Sequence, residues 1–286
     1  MLKSCSTESP TSRYLTTMLI AEQKLTHWLT NFYGYGSWHA RFWFIGYEEP
    51  GGDIPQEVAA KFNYFFDIHP HAGPTLCNIR ELYKHVTVTP ENPKAEAFAN
   101  RFDYRFGKAA IQSTIWKNLT AFVHGYDQGA MPESLTYQKQ HFAQPDEKRE
   151  ALISFYPLPG SHTHSWHYNW LSLTGCDFLC SKERYEEYVY PQRIQTILSK
   201  IREHKPEVVI MYGMKNISGL KKSVQDFFDN VQFTTAKGIK LKIPQHHRTD
   251  INETKLIITT QIPALRHNRV ETGFDWAEFG SLIKEI

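Results

Sequence analysis

Four short apolar runs, each stopped by a turn and separated from the next by stretches of helical periodicity, constrain this chain more than any other feature. They cover residues 42–46, 151–155, 208–212 and 255–260. A run this short, bounded by Gly, Pro and polar residues, reads as a buried strand. Between them, apolar residues recur at helical spacing over 14–33, 56–67, 75–83, 104–124, 185–204, 216–228 and 274–286. Strands that alternate with helices build a parallel sheet covered on both faces. The expected fold is therefore α/β: a three-layer α/β/α sandwich around a central, mainly parallel four-stranded sheet. Residues 130–150 read as a polar linker, and 231–235 with 239–243 as a hairpin around Lys237-Gly238.

The 286 residues fit one domain, 1–286, in which the long span at about 54–150 is an insertion between the first two strands. Lys and Arg nearly balance Asp and Glu, for a formal net charge of +2, so composition alone does not demand nucleic acid. Four cysteines are too few for a disulfide framework in a chain of this size. Free thiols, no stretch of the roughly twenty apolar residues a membrane helix needs, and no signal-type segment point to a cytoplasmic protein without a membrane partner. Cys176 and Cys180 give weak metal spacing. His69 and His71, and the cluster His162, His164 and His167, lack matching further ligands, so neither a metal nor another cofactor is expected.

In open α/β sheets, ligands bind beyond the carboxyl ends of the strands. The first run continues there as Gly46-Tyr47-Glu48-Glu49-Pro50-Gly51-Gly52-Asp53, with an aromatic ring, two acids and two glycines that would let a ligand approach the backbone. A solvated strand-to-loop turn is the plainer alternative. The second run carries Ser154, whose hydroxyl the sheet backbone could also satisfy. The last run ends in Gln261-Ile262-Pro263-Ala264-Leu265-Arg266-His267-Asn268-Arg269. With Lys237, Lys240, Lys242 and Arg248, this loop makes the last third basic, as phosphate binding needs; a solvated charged face has the same composition.

Four strand ends in this order, with Gly46 to Gly51, Ile153 to Gly160, Lys205-Pro206 leading a strand that ends at Gly213, and Thr259 to Leu265, resemble the uracil-DNA glycosylase superfamily over about residues 42–266. Members of that family open the site with a Gly-Glu-Ala-Pro-Gly, Gly-Gln-Asp-Pro-Tyr or Gly-Met-Asn-Pro turn. Their last strand runs into a His-Pro-Ser loop. Glu48 matches the Glu of the first form. Glu49 stands before Pro50, where some members place the residue that positions water. Ile262 and Ala264 replace the family's His and Ser, which leaves His267 as the candidate donor. The cysteine spacings of the iron–sulfur members are absent.

The resemblance implies hydrolysis of the N-glycosidic bond of a flipped, damaged base such as uracil, in single-stranded or duplex DNA. Such chemistry needs a stacking ring, hydrogen bonds to the base and a carboxylate that orients water. The implied catalytic residues are Glu48, Glu49 and His267. Tyr47, Phe66, Ser154 and Gln261 would hold the base. Leu265 would enter the duplex, while Arg266, Arg269, Lys240 and Lys242 grip phosphates. Loss of the His-Pro-Ser chemistry favours the alternative, a non-catalytic nucleic-acid- or nucleotide-binding protein of the same fold. No Gly-x-Ser-x-Gly elbow supports an α/β-hydrolase.

Overall fold

The computed structural model describes residues 20–52, 54–71, 73–87, 100–160, 166, 168, 171, 176–239, 242–264 and 274–286. The eight strands form one mixed sheet: β1 (Phe32–Tyr35), β2 (Phe42–Pro50), β3 (Thr75–Cys77), β4 (Glu150–Gly160), β5 (Val208–Tyr212), β6 (Thr234–Ala236), β7 (His246–Ile251) and β8 (Thr254–Ile258). Their spatial order is β3-β1-β4-β2-β5-β8-β7-β6. The four strands read from the sequence are the four at the centre, β4-β2-β5-β8, and all three of their pairings are parallel. The expected count of four is corrected to eight among the described residues, and the sheet is mixed. β1 joins β4 antiparallel and β3 parallel on one side; β7 and β6 extend the other side antiparallel.

The flanking strands were hidden for physical reasons. Trp28, Leu29 and Phe32 share one helical period, so β1 read as the last turn of a helix. That helix, α1 (Glu22–Asn31), stops where the chain turns extended at Phe32. β3 is only three residues long and runs straight into the Asn78 cap of α3 (Ile79–Lys84), so the two merged into one expected helix. The hairpin is displaced: β6 pairs with β7 rather than with 239–243, where Ile239 and Ile243 bridge to each other. The remaining helices are α2 (Pro55–Ile68), α4 (Arg101–Phe106), α5 (Thr114–Tyr126), α6 (Ser134–Gln140), α7 (Lys182–His204), α8 (Ile217–Phe227) and α9 (Trp276–Glu285). The expected helix over 104–124 is two, α4 and α5, and the expected linker over 130–150 contains α6.

Successive side chains of a strand point to opposite faces. Phe42 and Phe44 meet Tyr126 and Phe122 of α5, and Phe122 meets Phe279 of α9. Trp43, between them, lies against His204 of α7. Helices therefore cover both faces of β2, which is buried from Phe42 to Ile45. One fully buried cation ties α7 to the sheet. Arg193 donates to the carbonyls of Phe155 (2.9 Å), Phe32 (2.7 Å) and Ser154, and its guanidinium lies 3.5 Å from the centre of the Tyr33 ring. Five donors on a rigid planar group suit three carbonyls of two strands, where a Lys would serve fewer. Arg193 thus holds the β4 backbone at the point where the strand reaches the candidate site.

Candidate functional site

The strand order makes β2 the place where the chain reverses direction across the sheet. From β2 it moves to β3 and β4 on one side and then crosses back to β5 on the other. Beyond the carboxyl ends of strands at such a point, an open α/β sheet leaves a crevice. A cleft of about 510 Å³ lies there. Tyr47 of β2, Phe155 and Tyr156 of β4, and Met214, Lys215 and Asn216 just after β5 form one side. Glu183, Glu186, Glu187 and Tyr190 of α7 form the other, with Leu220 of α8. Those four α7 residues are spaced i, i+3, i+4, i+7, so they make one stripe along the helix.

Tyr47 is at the centre. It is half-buried; its hydroxyl donates to Glu186 Oε1 at 2.6 Å, and its ring meets Tyr156 edge-on at 5.0 Å. Burial, reinforced by Glu186, holds the phenol well above its ordinary pKa, so it stays a neutral donor. Lys215 Nζ lies 4.5 Å from the centre of the same ring, and Lys182 Nζ 5.8 Å. Lys182 itself pairs with Glu48 Oε2 at 2.5 Å, and both side chains are mostly buried. Glu48 is thus beside the cleft and neutralised there.

Glu49 has different surroundings. It is fully buried. One oxygen accepts from the Tyr35 hydroxyl at 2.5 Å and from Lys61 Nζ at 3.4 Å; the other accepts from Ser154 Oγ at 2.8 Å. Lys61, on α2 of the expected insertion, also faces Glu57 Oε1 at 3.4 Å, and Arg101 grips Glu57 Oε2 at 2.5 Å. Two acids and two bases therefore share one interior. Burial alone would push the Lys61 ammonium down; the charges of Glu49 and Glu57 outweigh it and hold it raised. Burial likewise works against ionised Glu57, and Lys61 and Arg101 bring its carboxyl below the ordinary range.

The other expected site residues separate. Ser154 does meet Glu49, and it bonds that carboxylate rather than the sheet backbone. At Gly51 and Gly52 the space that a side chain would take is filled by the protein. A Cβ at Gly51 would come 2.8 Å from Glu57 Oε1, and one at Gly52 2.1 Å from the Pro159 carbonyl oxygen, so both glycines make room for the protein itself. Both also hold a positive φ, of 106° and 96°, that favours glycine. Phe66 belongs to the contact between α1 and α2, with its ring against His27 and Lys24, and does not line the cleft. The Gln261 carbonyl accepts from the Gly213 amide at 3.1 Å, which brings the loop after β8 to the end of β5; the adjacent Ile262 is half exposed. Lys242 pairs with Glu278 at 3.1 Å. Lys240, Leu265, Arg266, His267 and Arg269 lie outside the described residues, as do His162, His164 and His167. Among the described residues no group of three or more His, Cys, Asp or Glu could hold a metal, and no helix is long and apolar enough to cross a membrane.

The sequence reading missed Lys61, Tyr35, Glu186, Tyr190 and Lys215. The α7 stripe had a signal, since three acids and a tyrosine at helical spacing follow the Ser181 cap. Lys61 had none, because one lysine among the polar residues of an amphipathic helix reads as part of its solvent side. Compared with protein-family models, with curated proteins and with solved structures, the chain shows no match to any of them.

Proposed function

We propose that this chain binds a planar nitrogenous base in the cleft beside Tyr47, either free or as part of a nucleotide or a single strand. The frame would be a three-layer α/β/α fold of the uracil-DNA glycosylase kind, in which Glu49 is a structural ion. The observation that carries this reading is the cleft: about 510 Å³ at the point of strand reversal, with Tyr47, Tyr156 and Tyr190 in its walls. That volume lies in the ordinary range of a small-molecule site, about 300–1,000 Å³. Aromatic walls stack any base, and each stack is worth about 1–3 kcal/mol. The carboxylates accept from ring N–H and amino groups.

A carboxylate that orients water must reach water. Glu49 is sealed, and hydrogen-bond donors occupy both its oxygens. That favours binding without hydrolysis. The hydrolytic reading keeps one observation of its own: Glu48 stands next to Tyr47 at the cleft, 15% exposed and held by Lys182.

Calorimetric titration with nucleosides, nucleotides and short single strands tests the proposal, alongside an assay for abasic sites in oligonucleotides that carry uracil and other damaged bases. The expected result is saturable binding that Tyr47→Ala weakens at least tenfold, with no abasic product. Abasic product that disappears in Glu48→Gln would replace this reading with the hydrolytic one. No binding by any of these ligands would remove both.

A further inference from the structure

The cleft is lined unevenly in charge. Glu183, Glu186 and Glu187 face it, against Lys215 as the one lining ammonium among the described residues. Glu186 is half-buried and tied to the Tyr47 hydroxyl, so its charge is fixed beside the ring. The ring already serves as a cation platform: Lys215 Nζ sits 4.5 Å from its centre, on a side chain exposed to solvent. Aromatic faces attract cations through the ring quadrupole, and more strongly where water is excluded.

On the base-binding reading above, we infer that the cleft selects bases that carry a positive charge, the N-methylated cytosine and adenine class, over their neutral parents and over phosphorylated forms. A cationic base placed on Tyr47 takes the position of the Lys215 ammonium, which is free to swing out to solvent. It then meets three carboxylates, which only accept hydrogen bonds and favour positive charge. Uracil, uncharged, presents two carbonyl acceptors and a single N3–H donor to the same walls and leaves most of these carboxylates unpaired. A 5′-phosphate adds negative charge opposite negative charge. Both discriminations therefore come from repulsion and lost pairing as much as from attraction.

The test uses matched pairs, 3-methylcytidine with cytidine and 1-methyladenosine with adenosine, in calorimetric titrations of the full chain at pH 7 and low salt. Each pair differs by one methyl group and one charge. The expected result is that the methylated member binds about tenfold tighter or better, that the ratio shrinks in Glu186→Gln and in 0.5 M salt, and that cytidine 5′-monophosphate binds more weakly than cytidine. Equal affinities within both pairs overturn this inference and leave base binding standing. A preference that Glu186→Gln and salt leave unchanged also overturns it, because methyl contact rather than charge would then be the cause. No binding by any of the nucleosides overturns both readings.

Discussion

Tyr47 and Glu49 are two residues apart at the end of one strand, and their surroundings could hardly differ more. Glu49 is closed off by the Lys61 helix, with its charge matched inside the protein. Tyr47 opens on a cleft whose acids are partly or fully exposed. The register between β2 and β4 slips between the Glu48–Tyr156 and Pro50–Gly160 partners, so the strand end no longer keeps a strict two-residue alternation there. A sealed charge must find partners to offset its desolvation. An open one keeps water, or exchanges it for a ligand. The contrast teaches that adjacent carboxylates in a promising motif divide by surroundings, one holding the fold and one bordering the site.

The sealed side breaks most easily at its shared cation. Lys61→Met strands Glu49 and part of Glu57 without their ammonium, and a broken buried pair costs about 3–5 kcal/mol. Denaturant unfolding should show that loss, while variant that remains folded keeps cleft binding. Stability within about 1 kcal/mol of wild type would mean that Glu49 and Lys61 are not a mutual charge pair. Tyr35→Phe removes one hydrogen bond to the same carboxylate, which is worth about 1.5–3 kcal/mol to a charged partner. Its thermal unfolding should fall accordingly, and an unchanged midpoint would show that the hydroxyl is dispensable.

A third acid sharpens the contrast. Glu150, at the start of β4, is as buried as Glu49, but its main partner is the neutral Tyr137 hydroxyl at 2.5 Å, with Arg149 Nε 3.7 Å away. Burial pushes its carboxyl up to about 7, against the pull of Tyr137 and Arg149. The folded pKa exceeds the unfolded one, so the folded state binds the extra proton. This contribution is complete below the ordinary carboxylate range and is lost as pH rises through about 7. Urea unfolding at pH 5 and pH 8 should show less stability at pH 8, and Glu150→Gln should flatten that difference. A difference that the variant leaves intact assigns it to another group. The smallest effect is on the surface: Lys242 and Glu278 are both exposed, so Lys242→Ala should change stability by no more than about 1 kcal/mol and leave cleft binding unaltered. A larger loss in unfolding measurements would contradict that placement.

How far the sequence foretold these regions follows from the same physics. The central strands were legible because short β-branched and aromatic runs stop at a turn, and α2, α7, α8 and α9 because their periodicity is sustained. β1 and β3 were not, since a four-residue and a three-residue strand beside helices share the helical period. Tyr47, Glu48, Glu49 and Ser154 were named as candidates from strand ends and from the resemblance together. Their division was not legible, because Lys61 reaches Glu49 from twelve residues further on and Glu186 reaches Tyr47 from 139 residues further on. Pairings across such separations leave no local pattern. The cleft's outer wall lay in α7, whose helical period was read from its apolar residues and not from its acids.

The most direct test of the division between the two sides is a chemical-shift titration with a nucleoside that binds. Resonances of Tyr47, Tyr156 and Lys215 should move with ligand concentration, while those of Tyr35, Ser154 and Lys61 stay in place. Shifts centred on Tyr35, Ser154 and Lys61, with the cleft unmoved, would contradict the account.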